Sequence, residues 1–274
     1  VKKADEVICS AGHLAVDYTL CQSLEKEAYQ LSISKEGVQI TASAPNGVYY
    51  GLVTLSQLFQ LNNGEICLLE IEDKPTMPLR GISDDISRGQ VSSFQNFKDI
   101  IRRMSYVKCN VYMPYMEDTF EFKRFPESGK FSDPVKQEEW KELIEYAKDY
   151  YVTIIPIFNT IGHWDKNAKL EYFYPYVIKR NDDPNGAPCT SVDVRKPESQ
   201  QMIYDMLDEL AVRLGGMKSA SRKVVDSGKA DRSIQVGQSG KVVHPKLYMA
   251  IGIYGALQHV AGLHKVKHLI AVNI

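Results

Sequence analysis

The sequence predicts an α/β protein, and three observations carry the prediction. Short alternating strands fill the amino-terminal part. A proline-rich connector then opens a strand–helix alternation. The same alternation returns in a different style after the Gly215–Gly216 pair. Strand–helix–strand rhythm implies parallel strands with right-handed crossovers, hence a barrel or a doubly wound sheet. The length of 274 residues suits one large α/β domain or two ordinary ones.

Taken in order, residues 1–60 read as a small α+β unit. EAYQLSIS (27–34) and GVQITASA (37–44) alternate as strands around a tight Lys-Glu-Gly turn. Asn46 and Gly47 read as a turn, followed by a helical stripe of Leu52, Leu55, Leu58 and Phe59. GEICLLEIEDKPTMP (64–78) is a strand running into the connector that marks the first boundary. RGISDD (80–85), CNVYMPY (109–115) and TIIPIF (153–158) are the next strands. The intervening helices, 94–107 and 137–151, bury stripes containing Phe97 and Ile101, and Trp140 and Leu143. Long polar loops follow these strands, the place where barrel enzymes keep their sites. The stretch at 198–214 is a helix closed by Gly215 as a left-handed cap, and the start of a strand is expected beyond it. KLYMAIG (246–252), GALQHVAGLHK (255–265) and HLIAVN (268–273) read as a final βαβ.

Bulk composition excludes several classes. Apolar residues at 44% and charged residues at 24% predict a packed core, not disorder. A net charge of −1 gives no electrostatic reason to bind nucleic acid. No apolar run approaches the ~20 residues that cross a bilayer, so no membrane association is expected. VKKADEVICS carries no signal-peptide apolar core, although a mature form would lack one too, and the compartment stays open. Five cysteines without a CxxC pair indicate neither a zinc site nor a disulfide framework. Tyrosines, 16 in all, cluster between 106 and 176; aromatic loops suit carbohydrate stacking, but tyrosines pack cores as well.

Four stretches together resemble one family. APNGVYYGLVTLSQLF, IEDKPTMPLRGISDDISRGQV, YVKCNVYMPYMEDTFEF and IIPIFNTIGHWD occur in the order found in glycoside hydrolase family 20, the β-N-acetylhexosaminidases. The resemblance spans about residues 15–210. It implies a small domain, then a catalytic barrel, and a bound N-acetylhexosamine-containing glycan, with no cofactor or metal required. It also implies roles. Arg88 would bind sugar hydroxyls, for which rigid guanidinium donors suit. Glu117 and Asp118 would hold hydroxyls or a neighbouring histidine. His163 would stand at the rim of the third strand, and Trp164 would stack on a sugar or close the barrel.

The family's reaction is retaining and substrate-assisted, so the protein supplies no nucleophile. It still needs an adjacent Asp-Glu pair at the end of strand four, one to orient the acetamide and one as general acid and base. The matching segment here, MKSASRKVV (217–225), holds no carboxylate, and the Asp208–Glu209 pair falls inside the preceding helix. The catalytic residues are therefore not found, and weak or absent turnover is expected.

From about residue 212 the text resembles the flavin-binding domain of the electron-transfer flavoprotein alpha subunit. The Val-Gly-Gln-Ser-Gly-Lys loop and the Gly-x-x-Gly-Ala-x-Gln-His turn carry this resemblance. It implies that Arg222 lies over a flavin, that Ser239 bonds the ring edge, and that His259 reaches the pyrimidine side. Gln238, Gly240 and Asn273 would complete the contacts, making FAD a possible cofactor. Tyr254 departs from the family's small serine near the phosphates, and the later adenosine-side contacts lack a counterpart. A flavoprotein beta subunit is not an expected partner, because the first part of that flavin domain has no counterpart here.

The fold class that results is α/β in three parts. A small α+β domain occupies 1–75, and the first part of an incomplete (β/α) barrel occupies 76–214. A flavodoxin/Rossmann-like parallel βαβ segment continues it over 215–274. The helix at 198–214 fits both families, and its apolar stripe crosses the join in phase. A one-residue slip would rotate that face by about 100°. The expectation is a chimera joined at an equivalent element, with the last strands extending the parallel sheet.

Overall fold

The computed structural model describes residues 2–8, 15–180, 185–213, 215–217, 219–228, 230–245, 247–251, 257–264, 266 and 268–272. The chain forms two compact units, Val1–Glu121 with Pro126–Val194, and Phe122–Phe125 with Arg195–Ile274.

The first unit opens with a five-stranded sheet of β1 (Lys2–Ile8), β2 (Val16–Leu20), β3 (Tyr29–Ile33), β4 (Val38–Ala42) and β5 (Ile66–Asp73), ordered β1-β5-β3-β4-β2. Strand alternation turns Tyr29, Leu31 and Ile33 of β3 and Val38, Ile40 and Ala42 of β4 inward. They pack with Val48, Tyr50 and Leu55 of helix α1 (Pro45–Leu61). Each fully buried Leu or Ile there contributes about 1.5–3 kcal/mol. Asn46 and Gly47 are not the turn expected from the sequence but the first turn of α1, which Pro45 opens. Gly47 is there for closeness: a Cβ would sit 2.7 Å from the Ala28 carbonyl oxygen.

A three-stranded parallel sheet follows, ordered β6 (Gly81–Asp85), β7 (Val111–Tyr115) and β8 (Thr153–Ile154). Crossover helices α2 (Phe94–Tyr106) and α3 (Gln137–Asp149) bury the predicted stripes, with Phe97 and Trp140 ring centroids 5.6 Å apart. Ser93 caps α2 by accepting the Asn96 amide at 3.2 Å. β8 is shorter than its apolar run because Pro114 of β7 has no amide to donate to it, although the Ile155 and Ile157 amides still donate to the Tyr112 and Pro114 carbonyls at 2.9 and 2.8 Å. Pairing beyond it survives as one bridge, Tyr115 to Ile157. An antiparallel pair, β9 (Val177–Lys179) and β10 (Pro188–Val192), completes the unit and was not expected from the sequence.

The second unit begins with α4 (Pro197–Arg213), which ends at Gly215 with φ +77°. The Gly216 amide returns to the Ala211 carbonyl at 2.7 Å, as a left-handed cap requires. Glu209 of α4 accepts the Lys123 backbone amide at 2.5 Å and the Arg124 amide at 3.1 Å. Arg124 reaches Asp205 at 3.3 Å and Asp208 at 3.6 Å. Among the described residues after the cap there is no strand where the sequence reading expects one. Ala220 makes a single bridge with Gln235, and helix α5 (Arg222–Asp226) follows. An Arg222–Asp226 ion pair at 3.2 Å spans this short turn.

The expected helix at 255–265 is described only as a one-turn α6 (Leu257–Val260). Gly262 explains the early stop: its Cα packs so near Gly237 that a Cβ would lie 2.3 Å from the Gly237 nitrogen. β11 (Leu247–Ile251) and β12 (His268–Val272) are parallel, as predicted, but pair with each other in a separate two-stranded sheet.

Candidate functional site

The site of the first unit grows from the carboxyl ends of β6 and β7. Asp85 closes β6 and organises the residues after it. Its Oδ1 accepts the Ser87 amide at 3.0 Å and hydroxyl at 2.7 Å, and its Oδ2 accepts Arg88 Nε at 3.1 Å. This is the physical reason for the Asp-x-Ser-Arg spacing. Burial works against ionisation of Asp85, but the Ser87 bonds and Arg88 together hold its carboxyl below the usual carboxylate range.

Arg88 also reaches Glu117 Oε1 with Nη1 at 3.0 Å and lies 5.7 Å above the Tyr115 ring. Glu117, first, and Asp85 raise the guanidinium above its ordinary pKa. The Tyr115 hydroxyl donates to the same Glu117 oxygen at 3.0 Å, and Asn159 donates to that hydroxyl. His163 Nδ1 stands 3.8 Å from Glu117 Oε1, and its side chain is exposed. Glu117 is 7% exposed and His163 mostly open, so a ligand meets the histidine before the carboxylate. Both have positive φ, +43° and +58°, an arrangement that costs on the order of 1–3 kcal/mol and clusters at functional sites.

Asp118 is buried and both its oxygens are engaged. Lys166 donates to Oδ1 at 3.1 Å and Ser132 to Oδ2 at 2.7 Å. Trp164 is 4% exposed and meets Phe173 edge-on at 5.5 Å, forming wall instead of a free stacking face. Glu117, Asp118, Asn159, His163, Trp164 and Lys166 line one open cleft. The structure thus brings four of the expected residues, Arg88, Glu117, Asp118 and His163, to one rim. Tyr115, Asn159 and Lys166 escaped the sequence reading. Tyr115 closes β7 two residues before Glu117, whose left-handed turn brings the two side chains together, and strand period carries no signal of that turn.

In the second unit, Arg222 and Ser239 share an open cleft with Asp226, Arg232 and Gln235. Ser239 Oγ already meets Gln235 Nε2 at 2.9 Å. The Gln238 amide donates to the Gln258 carbonyl at 2.6 Å, away from any ligand. Gly237 and Gly240 read from the sequence as places where a ligand approaches the backbone. The structure gives them a further reason: Cβ atoms there would lie 2.6 Å from Gln258 O and 2.4 Å from Gln235 O, so the loop folds against its own chain. His259 Nε2 lies 2.8 Å from the Tyr248 hydroxyl, which lies 3.0 Å from Ser219 Oγ. Its buried Nδ1 makes no well-formed hydrogen bond among the described residues. Burial lowers the His259 pKa, with the Val236 backbone opposing. Asn273, Tyr254 and Gly255 lie outside the described residues.

Comparison with known proteins separates these two regions. Residues 3–74 match the family model for glycosyl hydrolase family 20, domain 2, and residues 196–264 match that for the electron transfer flavoprotein FAD-binding domain. Models of two different families thus match separate stretches of one chain. The hexosaminidase likeness extends beyond the matched domain in fold. A family 20 exo-β-N-acetylglucosaminidase from Vibrio harveyi, solved with N-acetylglucosamine, aligns over 72% of this chain with a TM-score of 0.64 at 22% identity. A β-N-acetylhexosaminidase from Bacteroides fragilis aligns over 80%, with a TM-score of 0.64 at 19% identity. The chain spans 36% and 49% of those proteins respectively.

The flavoprotein likeness is one of sequence. The electron transfer flavoprotein alpha subunit of Dictyostelium discoideum is 53% identical over 160 residues, 57% of this chain and 39% of that protein. A probable alpha subunit from Cryptococcus neoformans is 53% identical over 79 residues, 29% of this chain and 23% of its own length. The chain therefore spans well under half of the flavoprotein subunits it matches. Among the described residues no helix is long and apolar enough to cross a membrane.

Proposed function

We propose that the first unit is a hexosaminidase-type sugar rim that binds a terminal N-acetylhexosamine of a glycan and turns it over weakly or not at all. The observation that carries this reading is the convergence of Arg88, Glu117 and His163 at the ends of β6 and β7, two of them in strained backbone. Arg88 donates to ring hydroxyls while Glu117 accepts from them. Tyr115 and Asn159 hold Glu117 in place. Protonation of the leaving oxygen has no assigned donor. MKSASRKVV lacks carboxylates, and Asp208 and Glu209 are occupied with Arg124 and the backbone at 123–124. Loss of general acid catalysis removes roughly 10²–10⁴ in rate.

The test is direct. Titration with N-acetylglucosamine followed by NMR is expected to show saturable binding by the full chain. Arg88→Ala is expected to weaken it about 10- to 100-fold, the worth of a charged hydrogen bond. Nitrophenyl N-acetylglucosaminide should release nitrophenol at a rate near the blank. Rapid turnover would show that a general acid exists elsewhere in the chain.

A second reading concerns the second unit, which matches the flavoprotein FAD-binding domain over 196–264. The residues fit a flavin in part. Arg222 and Ser239 share a cleft, and the buried Nδ1 of His259 makes no well-formed hydrogen bond among the described residues. Bound flavin would supply one- and two-electron chemistry; these residues would only hold and orient it. A purified protein that stays colourless after incubation with FAD would remove this reading. The remaining possibility, a composite without either activity, ends with detection of sugar binding or of flavin binding.

A further inference from the structure

We infer that Lys166 is a positioning residue for the sugar rim: a single ammonium pins three loops and so fixes where Arg88 and Glu117 stand. This rests on the sugar-binding reading above. Lys166 Nζ donates to the Ser87 carbonyl at 2.8 Å, to Asp118 Oδ1 at 3.1 Å and to Ser132 Oγ at 2.8 Å. An ammonium has three protons, and three acceptors from three loops receive them. The Ser132 hydroxyl passes its own proton to Asp118 Oδ2 at 2.7 Å, which closes the cluster.

Sequence adjacency gives the cluster its leverage. Ser87 directly precedes Arg88, and Asp118 directly follows Glu117. Two of the three pinned atoms therefore lie one residue from a rim side chain. Glu117 holds φ +43°, a conformation that persists only where neighbours over-determine it. The buried Asp118 anchor, one residue on, supplies that constraint. Gly129 brings the third loop within reach: at φ +84°, a Cβ would lie 2.8 Å from the Asp118 carbonyl oxygen. A compact ammonium suits acceptors in three directions, whereas a planar guanidinium presents its donors in one fork.

The experiment compares full-length wild type, Lys166→Met, Lys166→Arg and Ser132→Ala. Amide hydrogen exchange reports the loops, and N-acetylglucosamine titration reports the rim. In Lys166→Met, amides at Ser87–Arg88, Thr119 and Ser132 are expected to exchange at least about tenfold faster together, while those of β7 stay unchanged. Sugar affinity should fall about tenfold or more, since small misplacement of binding groups is costly. Lys166→Arg should recover it only in part. Ser132→Ala removes one leg without stranding a charge, so it keeps the test open if Lys166→Met fails to fold. It should loosen the same loops to a smaller degree.

Wild-type exchange in all variants would overturn the inference. Loosened loops with unchanged sugar affinity would also overturn it, leaving Lys166 a purely structural residue. A wild type that does not bind sugar, yet loosens at all three loops in Lys166→Met, sinks the sugar reading and keeps the anchor.

Discussion

At the scale of single residues, the rim trades backbone comfort for placement. His163 holds φ +58° with its side chain in solvent and no close hydrogen bond to repay the conformation. His163→Gly should therefore raise stability by about 0.5–1 kcal/mol, the left-handed penalty less the glycine's own chain entropy. Sugar affinity should fall in the same protein. Urea denaturation and sugar titration check the pair; a variant less stable than wild type would mean the strain is not where the dihedral puts it. Arg88, Glu117 and His163 were legible in the sequence because motifs place them just beyond strands. Lys166 was not, since its three partners lie 79, 48 and 34 positions away and nothing in linear text joins them. Trp164 was legible as a residue that either stacks on a sugar or closes the barrel, and its burial against Phe173 favours the second.

At the scale of elements, period and punctuation gave the helices and most strands. α2, α3 and α4 match their stripes within a residue or two. Errors came where one residue overrides the pattern. Pro114 of β7 leaves the ladder to β8 incomplete, and Gly47 was spent on a close helix contact, not a turn. Gly81 is the sharpest case. A Cβ there would lie 1.8 Å from the Val111 carbonyl oxygen, in the register that pairs Gly81 with Val111. Gly81→Ala should destabilise the first unit by about 1–3 kcal/mol or more through forced strand separation. Thermal melting decides it; an unchanged midpoint would mean that β6 and β7 are farther apart than described. The β9–β10 pair had no signal because its strands are short and irregular in register.

At the scale of the whole molecule, the two units should respond to acid differently. Burial lowers the His259 pKa, so its contribution is fully present above the unfolded value of 6.5 and is lost as pH falls below it. Asp73 and Asp85 in the first unit are also depressed, so theirs is present above 3.8 and lost only in stronger acid. Amides near Val236 and Leu263 should exchange faster at pH 5 than at pH 7.5 after correction for intrinsic rates, with β3 and β4 unaffected. His259→Gln should flatten that difference; a second unit equally protected at both values would refute it. The composite origin was legible as a change of style along the chain. The separateness of the β11–β12 sheet was not, because strand period reports that a strand is parallel-like but not which neighbour it takes. One feature of the second unit bears on how sequences of different descent tolerate each other. Glu209 grips main-chain amides at 123 and 124. Such a clasp is indifferent to lineage. Glu209→Ala should free the four-residue strip at 122–125, whose two amides lose their acceptor, so a join of this kind should survive best where contacts are made to the peptide bond itself.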